Sequence, residues 1–244
     1  MKKIIGFFTV LFGSCLGLGF IVSKLEKNKG WVEGHKPYGI YEKHIKRPLD
    51  FALALFAVIL FWPILLIIAI AVRINMGSPV VFTQERPGLG GEIFKIRKFR
   101  TMTDARDSEG NLLPDDQRLT KFGCMMRATS GDETLELFSI IRGQLALVGP
   151  RPLLVEYLPR YSKEQMHRHD VRPGLTGYAQ TEGRNLCSWD ERFKKDVEYV
   201  NHITFLGDLK ILLRTVVVVL KKEGIHSKTS ATVEYFQGNE IKKG

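Results

Sequence analysis

Two long apolar stretches dominate the first third of the chain. Residues 4–22, IIGFFTVLFGSCLGLGFIV, carry no charge, and a helix of roughly 20 such residues crosses the hydrocarbon core of a bilayer. The pattern predicts a membrane helix, with a secretory signal or a lipoprotein-type signal ending near Cys15 as its rivals. Lys2 and Lys3 precede it and Lys24, Lys27 and Lys29 follow it, so charge does not orient it. The second stretch, Leu49 to Val72, holds Asp50 as its only charge and Trp62-Pro63 near its middle. A proline inside a helix removes one hydrogen bond and bends the chain. Basic residues flank both ends: Lys43, Lys46 and Arg47 before it, Arg73 after it. Cytoplasmic loops collect positive charge. Two readings follow: a straight spanning helix, or a re-entrant helix bent at Pro63 with both ends on one face and its freed backbone groups satisfied within the protein.

Beyond Ile74 the pattern turns polar. Val80 to Gln84 and Ile93 to Phe99 are short and partly alternating, joined by the glycine-rich Pro87-Gly88-Leu89-Gly90-Gly91, which predicts a β-hairpin. Asp104 to Arg118 is polar, with Gly110-Asn111 as a turn signal, and reads as a surface loop. Apolar spacing predicts helices over Leu135 to Ile141, Leu153 to Tyr161, Trp189 to Tyr199 and Phe205 to Leu220. The last, which carries Lys210 and Arg214 among its aliphatic residues, fits a helix lying in the lipid interface and fits a buried core helix equally. From His226 the chain is polar and irregular.

Composition narrows the partners. Hydrophobic residues at 44% and charged residues at 25% of the 244 exclude wholesale disorder. Three cysteines, Cys15, Cys124 and Cys187, are too few for a disulfide framework or a cysteine-based zinc cluster and suit a reducing compartment. Lys and Arg number 36 against 26 Asp and Glu, a net +10, which points to a polyanionic surface: nucleic acid, anionic lipid or a phosphorylated substrate.

Several clusters have ordinary explanations. The basic run Lys95 to Arg100 suits phosphates, yet such a run beside a membrane segment equally touches anionic lipid. Gly88 to Gly91 lacks the lysine and following helix of a phosphate-binding loop and reads as a turn. His167-Arg168-His169 lacks the cysteine or carboxylate spacing of a zinc site. The centre of the chain is different. Arg127, the pair Asp132-Glu133, and Val148-Gly149-Pro150-Arg151-Pro152 bring carboxylates and arginines into one region. Arginine binds phosphate oxygens bidentately, and a carboxylate can hold Mg²⁺ or attack phosphorus.

Taken in order, Lys98-Phe99-Arg100-Thr101-Met102, Asp132-Glu133, Val148 to Leu153, Arg172-Pro173-Gly174-Leu175-Thr176-Gly177-Tyr178-Ala179-Gln180, and Gly183-Arg184-Asn185 resemble the bacterial sugar transferase family, the monotopic polyprenyl-phosphate phosphoglycosyl transferases. The resemblance runs from about Lys46 to Phe236. It implies an α+β, mostly helical fold: a re-entrant membrane helix, a small β-hairpin and interfacial amphipathic helices, here with an extra N-terminal hydrophobic helix. The implied divisions are an N-terminal membrane helix over 1–25, a linker over 26–45, the re-entrant helix over 46–74 bent at Pro63, a cytoplasmic catalytic domain over 75–225 and a tail over 226–244. The implied reaction transfers sugar 1-phosphate from a UDP-sugar to undecaprenyl phosphate, releasing UMP.

Under this resemblance Asp132 is the nucleophile, forming a covalent phosphoryl-aspartate, and Glu133 assists it. Asp132 also ligates Mg²⁺. Read as an exposed aspartate, with a reference pKa near 3.9, it is ionised at neutral pH without a base. Arg151, held after Pro150, and Arg127 bind phosphate; Arg184 and Asn185 lie near the nucleotide sugar. The chain departs from the family pattern at Trp62-Pro63 in place of Ser-Pro, at Thr134-Leu135 in place of Leu-Pro, and at Gly131 in place of a larger apolar residue. The run Ala231 to Phe236 resembles the ends of capsule and exopolysaccharide members, a lean toward an N-acetylated sugar. Membrane lipid is a further partner, nucleic acid is not, and a homodimer suits so shallow an anchor. The rival to all this is a basic membrane protein or scaffold without catalysis, which would tolerate loss of the carboxylates.

Overall fold

A computed structural model describes residues 2–26, 30–182, 188–221 and 235–238. Helix α1, Lys2–Leu25, forms over the first apolar stretch, where Thr9 and Ser14 turn their hydroxyls back onto the carbonyls of Ile5 and Val10 at 2.9 and 3.0 Å. It runs antiparallel to helix α2, Lys46–Met76. Phe8 and Phe12 meet Phe56 edge to face, and Gly19 lies so close to Pro48 that a Cβ there would stand 2.5 Å from its carbonyl oxygen. Cys15 is buried in this contact face.

Helix α2 continues through Pro63 in a single helical run. Its first arm buries Ala54 against Phe94, Ile96, Ile140 and Leu145, and its last arm buries Val72 against Phe99 and Met126. Between them, residues 59–64 are all exposed. Six consecutive residues cover every face of an α-helix, so no face of this middle section is buried.

Strands β1, Val81–Pro87, and β2, Ile93–Phe99, form the expected antiparallel hairpin, with Glu85 opposite Lys95 and Pro87 opposite Ile93. Its turn needs glycine, because Gly90 and Gly91 have φ of 61° and 81°. The polar segment 104–118 is mostly irregular and ends in a one-turn helix, α3, Asp115–Arg118. Helix α4, Lys121–Ala128, starts at Thr120, whose hydroxyl accepts from the Gly123 amide at 2.9 Å. A 3₁₀ turn, Gly131–Leu135, leads into helix α5, Glu136–Ile141.

The sequence pattern did not reveal strands β3, Ala146–Val148, and β4, Gly174–Thr176, which pair in parallel. They approach at two glycines: a Cβ on Gly174 would stand 2.0 Å from the Gly149 amide nitrogen. Between them, Val155–Arg160 is 3₁₀ rather than the predicted α-helix, with Pro159 inside it, and α6, Lys163–Met166, is one turn. Helices α7, Tyr178–Glu182, α8, Trp189–Asn201, and α9, Phe205–Leu220, are the last helices among the described residues.

Val148, Val171, Tyr199, Val200, Ile203 and Ile211 form the core between β3 and the two last helices. Asp208 of α9 ties this core to α2, accepting from Lys46 Nζ at 2.6 Å and from the Tyr41 and Tyr199 hydroxyls at 2.8 Å. Helix α9 buries Asp208, Ile211 and Val218 and leaves Phe205, Leu206, Leu209, Leu213, Val216, Val217 and Leu220 exposed. A second cluster packs Tyr157 and Phe193 around Phe236 from the tail.

Candidate active site

The strongest local irregularity precedes the carboxylate pair. Ser130 has φ of 54°, the only described non-glycine residue in the left-handed region, a conformation that costs on the order of 1–3 kcal/mol and concentrates at functional sites. It turns the chain from α4 into the 3₁₀ turn that carries Asp132 and Glu133. Thr134 closes that turn by donating to the Gly131 carbonyl at 2.8 Å. Gly131 is small because Met126 fills the adjoining space: a Cβ there would stand 3.3 Å from the Met126 methyl.

Strand β2 delivers the cation. Side chains alternate along a strand, so Lys95 and Arg97 face solvent while Lys98 shares the face of buried Phe94 and Ile96. Lys98 Nζ lies 2.6 Å from Glu133 Oε1 and 3.2 Å from Glu136 Oε1. Arg151 Nη2, projecting from the loop after β3, meets the same Glu133 oxygen at 3.0 Å. Glu136 is buried at the start of α5. Arg86, on β1, donates to Gln84 at 2.6 Å and to the Pro152 carbonyl at 3.4 Å. Together Arg86, Lys98, Glu136 and Arg151 line a cavity of about 20 Å³, enough for one water.

The electrostatics separate the three carboxyls. Burial alone would raise Glu133, but the charges and hydrogen bonds of Arg151 and Lys98 outweigh it and hold it at about 2. Glu136 goes the other way, up to about 7, because burial and the Glu133 charge exceed what Lys98 returns. Asp132 is raised by burial and by Glu133, with Lys98 and Arg127 opposing. Asp132 is thus not the exposed aspartate that its polar surroundings suggested: it is 8% exposed, and its ionisation rests on nearby cations. Asp132 enters none of the ion pairs found among the described residues.

The expected residues are mostly brought together. Arg127, from α4, donates to Thr101 Oγ1 at 3.1 Å and lies close enough to act electrostatically on Asp132. Pro150 is buried and accepts from the Gly174 amide at 3.0 Å, which anchors the loop bearing Arg151. Arg184 and Asn185 lie outside the described residues. Pro63 sits on the exposed middle of α2, away from this cluster. His167, Arg168 and His169 go to different partners: Asp170, Asp196 and the Gly88 carbonyl. Sequence reasoning missed Lys98 as a carboxylate partner, and missed Arg86 and Glu136 altogether. Strand parity would have found Lys98, and the four-residue step from Asp132 would have found Glu136.

No group of three or more His, Cys, Asp or Glu is placed to hold a metal among the described residues. Mg²⁺ needs only one or two carboxylates when phosphate oxygens and water supply the rest. Asp132, outside any described ion pair, fits that requirement better than Glu133, which two cations already occupy.

The family model for bacterial sugar transferases matches residues 41–222. The chain is 50% identical over 195 residues to the uncharacterized sugar transferase EpsL of Bacillus subtilis, covering 80% of this chain and 96% of the relative. It is 37% identical to a UDP-glucose:undecaprenyl-phosphate glucose-1-phosphate transferase of Caulobacter vibrioides, over 74% of this chain and 72% of that one. It is 36% identical to a protein of the same name from Xanthomonas campestris, over 70% of this chain but only 38% of that longer relative.

Proposed function

The chain belongs to the bacterial sugar transferase family, and from that premise we propose that it transfers sugar 1-phosphate from a UDP-sugar to undecaprenyl phosphate, releasing UMP. This is the first membrane step of exopolysaccharide, capsule or related glycan assembly. The relatives named for that reaction support it.

The observation that carries the mechanism is the division of labour in the carboxylate pair. Glu133 is locked between Lys98 and Arg151, which leaves Asp132 as the carboxylate available for attack. An Asp132 carboxylate oxygen attacks the sugar-bearing phosphorus, and the bond to the bridging oxygen breaks. UMP leaves with that oxygen and the electron pair. A phosphate oxygen of undecaprenyl phosphate then attacks the same phosphorus, breaks the acyl-phosphate bond and returns Asp132 as carboxylate. Arg151 and Arg127 bind phosphoryl oxygens as charge develops, and Lys98 holds Glu133 in place and offsets the negative charge around Asp132. Mg²⁺, when bound, supplies charge neutralisation at the diphosphate, and Asp132 would hold it.

The membrane arrangement follows from the same residues. Both arms of α2 return to strand β2 while residues 59–64 are exposed all round, which supports a re-entrant helix with Pro63 near its apex. The exposed apolar face of α9 supports an interfacial helix beside it, since an apolar surface of this extent needs a non-aqueous partner. The catalytic part lies on the cytoplasmic face, where UDP-sugars are found and where the basic flanks of α2 belong. Residues 231–236, by their resemblance to the ends of capsule and exopolysaccharide members, lean the donor toward an N-acetylated sugar, with a hexose as the alternative.

UMP release from a panel of UDP-sugars, with undecaprenyl phosphate and Mg²⁺, tests the proposal. Wild type should release UMP with at least one sugar and Asp132→Asn with none. Equal release by both would remove Asp132 as nucleophile.

A further inference from the structure

Helix α1 and Glu26 precede the region matched to the family, residues 41–222. Glu26 is nevertheless bonded to two residues of that region, one near its start and one in its later part. Its carboxylate accepts from Arg47 Nε at 2.9 and 3.0 Å, from Arg47 Nη2, and from Arg172 Nη2 at 2.9 Å. The two arginine side chains are nearly buried, at 10% and 7% exposure, so the carboxylate between them offsets the repulsion of two cations in a poorly solvated place.

Each arginine braces one wall of the active site. Arg47 donates onward to the carbonyls of Ile140 at 2.9 Å and Ile141 at 3.2 Å, at the C-terminal end of α5, where the Ile140 carbonyl also accepts from the Gly143 amide at 3.0 Å. The other end of α5 is Glu136, which shares Lys98 with Glu133. Arg172 opens the segment leading into β4. Its carbonyl packs against Gly149, and two residues later the Gly174 amide holds the Pro150 carbonyl at 3.0 Å, directly before Arg151.

We propose that Glu26 is a positioning residue for the transfer reaction, through which the N-terminal membrane helix sets α5 and the Pro150-Arg151 loop in register around the carboxylate pair. The proposal rests on the transferase reading for its kinetic consequence, and on geometry alone for the bracing. A protein built this way has its first membrane helix as part of the catalytic unit rather than as a detachable anchor.

The test uses the full chain in lipid nanodiscs and compares wild type, Glu26→Gln, Glu26→Asp and, as an exposed control from the same linker, Glu33→Gln. Single-turnover UMP release without the lipid acceptor gives an amplitude, which counts correctly folded sites, and a rate constant, which reports their geometry. Glu26→Gln should keep its amplitude and lose roughly ten- to a hundredfold in rate, the scale of a misplacement of about 1 Å. Glu26→Asp should recover much of that loss, and Glu33→Gln should match wild type. Amide hydrogen exchange, which needs no activity, should rise in Glu136–Ile141 and in residues 146–151 of Glu26→Gln while α8 is unchanged. An unchanged rate, or a lowered amplitude at unchanged rate, overturns the positioning role. Unchanged exchange in both segments overturns the bracing itself. If wild type releases no UMP from any UDP-sugar, the transferase reading fails separately, and the exchange result alone decides whether Glu26 braces the two walls.

Discussion

The guanidinium of Arg168 donates to the backbone carbonyl of Arg151 over 2.7 Å. Arg168 is 1% exposed and is held by Asp196 at 2.7 and 3.1 Å, with its plane over the Tyr161 and Phe193 rings. The exposed arginine that contacts Glu133 therefore stands on a backbone fixed from inside the core.

Replacing Arg168 with Met leaves Asp196 buried and unpaired, which should cost about 3–5 kcal/mol. Adding Asp196→Leu should recover a large part of it, because an apolar pair carries no buried charge. Thermal unfolding of the single and double variants checks this; a double variant less stable than the single would refute the ion-pair account.

Lys98→Met removes the ammonium shared by Glu133 and Glu136 and leaves three carboxyls less compensated. Turnover should fall roughly 10²–10³-fold, with Lys98→Arg recovering part of it. UMP release kinetics decide, and activity within threefold of wild type for Lys98→Met would show that Arg151 alone suffices.

Glu136 makes stability depend on pH. Its folded pKa of about 7 lies above the 4.5 of an ordinary glutamate, so its contribution is fully present below pH 4.5 and is lost as pH rises through 7. The loss is at most on the order of 3 kcal/mol. Glu136→Gln should flatten the decline between pH 5 and 8 in denaturant melts; an unchanged slope would assign the decline to other groups.

Phe236 is 3% exposed in a cluster with Tyr157, Trp189 and Phe193. Its amide donates to the Tyr157 hydroxyl at 3.2 Å, and its carbonyl accepts from Arg160. Phe236→Ala should cost about 3 kcal/mol and shift Trp189 emission to the red in a background with Trp31 and Trp62 replaced by Phe. Unshifted emission would mean that the tail does not cover Trp189.

Single cysteines at Lys43 and Ile74, in a chain with Cys15, Cys124 and Cys187 replaced by Ser, should both react with an impermeant maleimide from one side of oriented vesicles. Labelling from opposite sides would make α2 a spanning helix.

What the chain shows locally, it shows plainly. The two apolar helices, the hairpin with its Gly90-Gly91 turn, and helices α8 and α9 were all legible, because each depends on periodicity and turn chemistry within a dozen neighbouring residues. The β3–β4 pair was not, because Ala146 and Gly174 meet through a long connection and three-residue strands carry little pattern. The site divided in the same way. Asp132, Glu133, Arg127 and Arg151 could be named from their order in the sequence. The choice of Lys98 over Lys95 or Arg97, the burial of Asp132 and the reach of Glu26 into the family region could not.

By itself, then, the sequence determined which segments are apolar enough for membrane, where the chain turns, and which residue types the chemistry has at hand. The tertiary structure decided which carboxylate is paired and which stands outside the described ion pairs. That choice turns on distances of about 3 Å between residues far apart in the chain, and on how much water burial removes from each charge, and neither quantity exists until the chain has folded.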